Sequence, residues 1–383
     1  MHLYDTVRGS TVEFVAPHEV SMYVCGITPY DATHLGHAAT YTTYDVLQRR
    51  LIDMGHVVKY VRNITDVDDS ILAAARRRGV HYLDLAFGER ARFDDDMASL
   101  NTLAPWSEPR ATGAIPEIRG LIDSTIAAGH AYESNGAVYF DTSSIDDFGT
   151  VSNFGIPRMQ ELSREWGEIP DDPSKKNPLD FVLWRPSGDG EPEWNSRWGT
   201  GRPGWHVECS ALAMRELGPT IDIHGGGVDL LYPHHECVRA QCESVTGQTF
   251  VRHWLHHAMV HLDGRKMSKS LGNLVFVHEL RQRVEPAVIR LALSVHHYRR
   301  PWQWSDDLLI EAEARLGRWR AARGAVPNTG VPGESKLMDE VRSRIDSDLD
   351  IPGAIGFIDR AASENVDPTA AASLLGVNLD DAD

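Results

Sequence analysis

The chain has 383 residues, enough for two or three packed units rather than one small core. Its 42% hydrophobic and 24% charged residues suit an ordinary soluble globular protein, and with no apolar run of about eighteen residues and no signal pattern after Met1 the cytoplasm, away from membranes, is expected. The net charge of -17 argues against a surface built to hold a polyanion, which would gather Lys and Arg.

In chain order, Ser21-Met22-Tyr23-Val24-Cys25 is an apolar run closed by Gly26 and predicts a buried strand. A turn with Pro29 and Asp31 follows. From His37 to about Met54 apolar residues recur at helical spacing (Tyr41, Tyr44, Leu47, Leu51), and Gly55 closes the helix. Residues 57–61 predict the next strand, and strand, helix, strand opens a parallel α/β sheet. Residues 110–200 change character, with helical patterns, a short strand at 137–140 and a polar, Pro-rich stretch at 168–178, as an insertion into the sheet would. The parallel pattern resumes at 220–223 and again at 256–260. After Trp302 the chain reads as helices joined by a Pro/Gly-rich linker at 326–333.

His34-Leu35-Gly36-His37 falls where a strand turns into a helix. Backbone N–H groups at a helix N-terminus attract phosphate, two imidazoles can hydrogen-bond phosphoryl oxygens, and Gly36 admits close approach. By itself the string also fits two surface histidines at a helix start. Lys266-Met267-Ser268-Lys269-Ser270 lies in a loop between Gly264 and Gly272-Asn273. Two lysines and two hydroxyls there can grip a triphosphate and stabilise a departing pyrophosphate. Alone, it equally fits a solvated basic loop. In this order, about 230 residues apart, the two motifs are far more specific than either alone.

Together they resemble the HIGH and KMSKS signatures of class I aminoacyl-tRNA synthetases. The resemblance implies an α/β fold: a Rossmann-like class I synthetase catalytic domain with an inserted connective domain and a C-terminal helical bundle. The expected division is 1–110 and 200–262 for the two catalytic halves, 111–199 for the insertion, 263–301 for the loop and stem-contact region, and 302–383 for the helical domain. His34, His37, Lys266 and Lys269 would be catalytic, acting on ATP with Mg2+.

The four cysteines, Cys25, Cys209, Cys237 and Cys242, are too sparse for a disulfide scaffold. Scattered Cys and His reach one metal only through the fold, and a lone buried cysteine is commonly packing. The segments at 204–210 and 225–236, however, resemble the zinc-binding parts of cysteinyl-tRNA synthetases. That resemblance implies Cys25, Cys209 and His234 as ligands of one Zn2+. It also implies an adenylate lined by Cys25, Gly26, Ile27, Thr28, Thr40, Asn63, Ile64, Thr65, Trp205, Gly227, Val228, Asp229, Val260, Met267, Ser268 and Ser270, with Asp229 facing the ammonium group of cysteine. Outside that family context, Trp205 reads as core and Asp229 as a cap after the glycine turn.

Where those synthetases carry a fourth ligand, Glu, this chain has Val238. Three ligands would leave an open position for a substrate thiolate, which zinc prefers to a hydroxyl. Cys237, one helical turn from His234, is the alternative fourth ligand but ranks below a packed thiol, and Cys242 ranks lower still. Within the family, the stretch at 22–41, Val238 and the ending at 374–379 resemble the mycothiol ligases, which join cysteine to glucosaminyl-inositol. A tRNA synthetase would continue into an anticodon-binding domain. Between Glu334 and Asp383 stand 12 acidic and 4 basic residues, a poor surface for RNA. The expected partners are therefore small molecules (cysteine, ATP and glucosaminyl-inositol) without nucleic acid, acting on a monomer. The alternatives are a cysteinyl-tRNA synthetase without a full anticodon-binding domain and a non-catalytic sensor of cysteine or ATP. Two departures from the ligase pattern stand out: Glu165-Trp166-Gly167-Glu168-Ile169-Pro170 replaces Glu-Arg-Gly-Gly-Asp-Pro, and His224 is more typical of the tRNA synthetases.

Overall fold

The computed structural model describes residues 1–31, 33–267, 272–325 and 333–380. The chain opens with an antiparallel hairpin, β1 (His2–Asp5) and β2 (Ser10–Glu13). Then β3 (Glu19–Ile27), α1 (Leu35–Asp53) and β4 (Val57–Ile64) form the first crossover unit, with β3 and β4 parallel from Glu19↔Val57 to Ile27↔Ile64. Consecutive Met22, Tyr23 and Val24 are all buried, as in a strand covered on both faces. Two helices follow, α2 (Asp69–Arg78) and α3 (Tyr82–Ser99). Asp68 caps the first of them by accepting from the Ser70 N–H, and Gly79 ends it at φ +65°, a conformation that favours glycine.

The insertion carries α4 (Ile115–Ala127), β5 (Ala131–Ser134), β6 (Ala137–Phe140), α5 (Ile156–Glu165), β7 (Phe181–Arg185) and β8 (Arg202–Pro203), its strands forming one antiparallel sheet. The chain returns to the first sheet through α6 (Trp205–Leu217), β9 (Ile221–Gly227), α7 (Glu236–Thr246) and β10 (Val251–His257). The order β10-β9-β3-β4 is parallel throughout. The last strand lies earlier than the 256–260 expected from sequence. At Ala258 the backbone N–H turns to the Tyr298 carbonyl (2.7 Å), and Val260 starts a different sheet of β11 (Val260–Leu262), β12 (Arg265–Lys266) and β13 (Trp302–Gln303). The remaining helices are α8 (Val277–Leu280) and α9 (Pro286–Ser294), then α10 (Asp307–Ala321), α11 (Gly333–Asp346), α12 (Ile351–Ser363) and α13 (Thr369–Leu374). The linker placed at 326–333 lies outside the described residues up to 332.

Two apolar cores meet at the parallel sheet. One runs from Val24 and Leu47 through Ile289 to Trp319, Val341 and Ile358 in the C-terminal helices. The other joins Tyr23 and Cys25 to Phe140, Trp184, Leu212 and Val238, tying the insertion to the opposite face. Each such side chain contributes roughly 1.5–3 kcal/mol on burial, so the insertion is packed rather than tethered.

Close backbone approach shapes the carboxyl ends of the strands. A Cβ on Gly26 would lie 1.6 Å from the Asn63 carbonyl oxygen, and one on Gly225 would lie 2.0 Å from the Tyr44 hydroxyl. That hydroxyl accepts from the Gly226 N–H (2.8 Å) and donates to the Leu255 carbonyl (2.5 Å), joining α1 to β9 and β10. Ligands of open parallel sheets bind in the crevice outside these carboxyl ends.

Candidate metal and nucleotide site

Cys25 stands near the end of β3, Cys209 on the first turns of α6, and His234 in the short turn before α7. Their ligand atoms lie within 4.8 Å of one another and all three residues are buried. Tetrahedral zinc, with about 2.3 Å to sulfur and about 2.0 Å to nitrogen, holds its donors under about 4 Å apart, so this group fits with a small contraction. The thiol of Cys209 is held well below the usual range, first by its hydrogen bond from Cys25, while burial pushes Cys25 well above it. One thiolate beside one thiol is the state such a pair adopts before a cation neutralises both.

A belt of imidazoles surrounds this group, and among them only His234 has a role expected from the sequence. His206 and His234 share a hydrogen bond through their Nδ1 atoms (2.9 Å), which orients the His234 ring and leaves its Nε2 for the sulfurs. His235 Nε2 sits 3.2 Å from Cys25 Sγ, and its Nδ1 lies 2.7 Å from His256 Nε2. His224 is buried between His235 and Trp254. Burial and mutual repulsion push His206, His224 and His235 well below the usual imidazole range, so they stay neutral. A second group, Cys25, His224 and His235, also has metal-ligand spacing. It shares Cys25 with the first and offers one sulfur instead of two, and zinc favours the softer set. The signal for this belt was the repetition of His at 206, 224, 234, 235 and 256 on elements converging at one sheet end; only the fold brings them together.

Cys237 and Cys242 belong to neither group among the described residues. Cys237 is buried with its thiol pushed well above the usual range, and Cys242 packs with its sulfur 3.9 Å from the Ser210 carbonyl. Val238 has no exposed surface and sits in the insertion-side core, so it offers no ligand.

His34 is the N-cap of α1. Its Nδ1 accepts from the N–H groups of Gly36 (3.1 Å) and His37 (3.4 Å), and its ring stacks on His37 at 3.8 Å. The two amides expected to attract phosphate therefore donate to the cap side chain. The segment that follows the second motif pairs with the first through the backbone: Leu35 N–H donates to Val275 (2.9 Å) and Val277 N–H to Thr33 (3.0 Å). Lys266 lies exposed on β12, and the Asn273 side chain donates to its carbonyl (3.2 Å). Ser268, Lys269 and Ser270 lie outside the described residues.

Of the expected adenylate residues, Gly26, Ile27, Asn63 and Thr65 form one hydrogen-bonded unit. The Gly26 N–H donates to Asn63 Oδ1 (2.8 Å), Asn63 Nδ2 to Thr65 Oγ1 (3.0 Å), and the Thr65 N–H to Ile27 (2.9 Å). Ile64 is buried beneath them, and the Thr28 carbonyl accepts from Tyr30 N–H. Thr40 turns its hydroxyl back to the Gly36 carbonyl (3.0 Å). Trp205 stacks on His234 at 4.3 Å, beside the metal group rather than in the deep core. Gly227 makes room for the Asp229 carboxylate, which a Cβ there would meet at 2.3 Å. Val228 and Asp229 are open to solvent at the cleft mouth; surrounding protein raises the Asp229 pKa, and Lys266 opposes that rise. Val260 and Met267 are core side chains, so only their backbone groups can meet a ligand.

A family model described as the tRNA synthetases class I (C) catalytic domain matches residues 11–314. The L-cysteine:1D-myo-inositol 2-amino-2-deoxy-alpha-D-glucopyranoside ligase of Streptomyces avermitilis is 47% identical over 366 residues, covering 95% of this chain and 89% of the relative. The ligase of the same name from Thermobispora bispora is 46% identical, covering 98% and 93%. A structure of Mycobacterium tuberculosis methionyl-tRNA synthetase with methionyl-adenylate superposes with a TM-score of 0.68 at 18% identity, over 94% of this chain and 88% of that one, a likeness of fold. The parallel sheet, the paired motif segments and these matches lead to one assignment: the chain belongs to the class I synthetase family of the cysteine type, in the branch of the L-cysteine:1D-myo-inositol 2-amino-2-deoxy-alpha-D-glucopyranoside ligases.

Proposed function

We propose that this chain uses ATP to activate L-cysteine as cysteinyl-adenylate and joins it to the amine of glucosaminyl-inositol, the step of mycothiol biosynthesis that its relatives' name describes. The observation that carries the reading is the convergence of Cys25, Cys209 and His234 at the carboxyl end of β3, the strand that leads into the helix capped by His34. These three residues would hold one zinc ion, whose chemistry when bound is a preference for a thiolate over a hydroxyl. With Val238 in the adjoining helix, no carboxylate competes with the substrate sulfur from that position.

The cysteine ammonium would face Asp229, and the triphosphate, with its magnesium, would lie among His34, His37, Lys266 and Lys269. Cysteine's carboxylate oxygen attacks the α-phosphorus, one O–P bond forms, and the bond to pyrophosphate breaks. Positioning and cationic side chains do most of the work. In the second half the neutral amine attacks the acyl carbon, a C–N bond forms, the acyl C–O bond breaks, and AMP departs; the amine proton passes to a base. The protein acts as a monomer on small molecules, and the acidic C-terminal helices disfavour an RNA partner.

AMP release from ATP and cysteine, measured with glucosaminyl-inositol or with cysteine tRNA, tests this reading. Release with the amino sugar and the mass of its cysteinyl amide is expected. Turnover with tRNA alone would replace the ligase reading by a synthetase, and silence with both would leave a sensor.

A further inference from the structure

The segment at 165–170, where the sequence departs from the ligase pattern, brings a tryptophan to the metal site. Trp166 ends α5 and stacks on Trp205 with ring centroids 5.1 Å apart and planes at 29°. Trp205 in turn stacks on His234 at 4.3 Å. The three rings form a column from the metal group outward, and Trp166, 40% exposed, is its outer end.

Its position is fixed from three sides. The Trp166 N–H donates to Leu162 (3.1 Å) and Ser163 (3.2 Å), and Gly167 closes the helix at φ +85°. Buried Ser163 shares a hydrogen bond of 3.0 Å with the hydroxyl of Tyr232, two residues before His234. Beyond the turn, the buried Lys175 ammonium pairs with Glu168 at 2.7 Å. The backbone that carries Trp166 is thus fixed, its indole rests on Trp205, and the exposed remainder is an apolar surface at the outer end of the column.

We propose that the exposed indole of Trp166 receives the acceptor, stacking on the apolar C–H face of the pyranose ring of an amino sugar and leaving its amine free to turn inward. The inference rests on the ligase reading above. The chemistry suits the ligand: an indole offers a flat apolar surface to the C–H face of a sugar and leaves the sugar's polar edge to the cleft. The location suits it too, because the acceptor nitrogen must reach the carbonyl of a cysteine whose sulfur lies at Cys25, Cys209 and His234, two ring spacings inward. Trp166 is thus a positioning residue for the second half-reaction.

The test compares wild type, Trp166→Ala and Trp166→Phe. Cysteine-dependent ATP–pyrophosphate exchange reads the first half-reaction, and Cys-amide formation at varied glucosaminyl-inositol reads the second. Trp166→Ala is expected to raise the acceptor KM about tenfold, the loss of about 1.4 kcal/mol of ring contact. Its effect on the KM for cysteine should be several times smaller, and Trp166→Phe should recover most of the loss. An unchanged acceptor KM in Trp166→Ala, or equal losses in both half-reactions, would overturn the platform while leaving the ligase reading intact. Wild-type protein without cysteine-dependent exchange, or without amide formation from the amino sugar, would overturn the ligase reading and the platform with it.

Discussion

Cys209 is the side chain on which most of the site's chemistry turns. It contributes one of two sulfurs in a three-donor group, and its depressed pKa depends first on Cys25. Replacing it with serine should abolish stoichiometric zinc and lower cysteine-dependent ATP–pyrophosphate exchange by at least about 100-fold, since even changes behind the ligands cost 10–100-fold. Metal analysis of the purified variant beside the exchange assay checks both. Lys266 acts at a distance from the sulfur, so Lys266→Ala should lower the exchange kcat by about 10²–10³ while zinc content stays at the wild-type level. Gly26 belongs to a different class of residue, for its role is to be small. A methyl group 1.6 Å from a backbone carbonyl cannot be relieved by a rotamer change, and Gly26→Ala should cost about 4 kcal/mol in urea unfolding.

Among the elements, β10 couples stability to pH. His257, at its end, donates from Nδ1 to the Ala258 carbonyl (2.6 Å) and is pushed down to about 4 by burial, with His297 adding to the effect. Its folded pKa is below the unfolded value of 6.5, so between about 6.5 and 4 the unfolded chain binds the extra proton. Stability from this group is therefore full above about 6.5 and falls as pH drops through that window, by roughly 3 kcal/mol in total. His257→Gln should flatten the pH dependence of the thermal midpoint between pH 6.5 and 4, and an unchanged slope would assign the acid sensitivity to other groups. The insertion helix α5 serves the site in another way, by setting Trp166 against Trp205.

On the scale of the whole molecule, Arg290 joins parts of the chain distant in sequence. Its buried guanidinium pairs with Asp45 on α1 and donates to the carbonyls of Leu100 (2.7 Å) and Leu375 (2.8 Å). It thereby ties the catalytic sheet, through α9, to the end of the helical region. Arg290→Met leaves Asp45 with Arg49 as its remaining arginine partner and those carbonyls without donors, which should cost about 3 kcal/mol. Urea unfolding followed by fluorescence measures that loss. A value under about 1 kcal/mol would show that apolar packing alone holds the helices on.

The sequence by itself determined the α/β class, because Ser21–Cys25 and the helical spacing after His37 are local patterns with one good structural solution. It also offered residue types suited to ATP and to a thiol, since the His and Lys motifs, taken together, are a specific pattern. The strand at 256–260 was misplaced because an apolar run records burial and not its partner: Val260 is as buried as a sheet residue, yet pairs with Trp302. The imidazole belt and the Trp166–Trp205–His234 column were decided only by tertiary structure. Apart from the neighbours His234 and His235, and Trp205 and His206, their members stand on elements well separated in sequence, and the order β10-β9-β3-β4, with an insertion folded back onto one face, is what brings them within contact. Spacing along a chain cannot encode that convergence, because the entropy of closing such loops is overcome collectively by the buried core and not by the residues that meet.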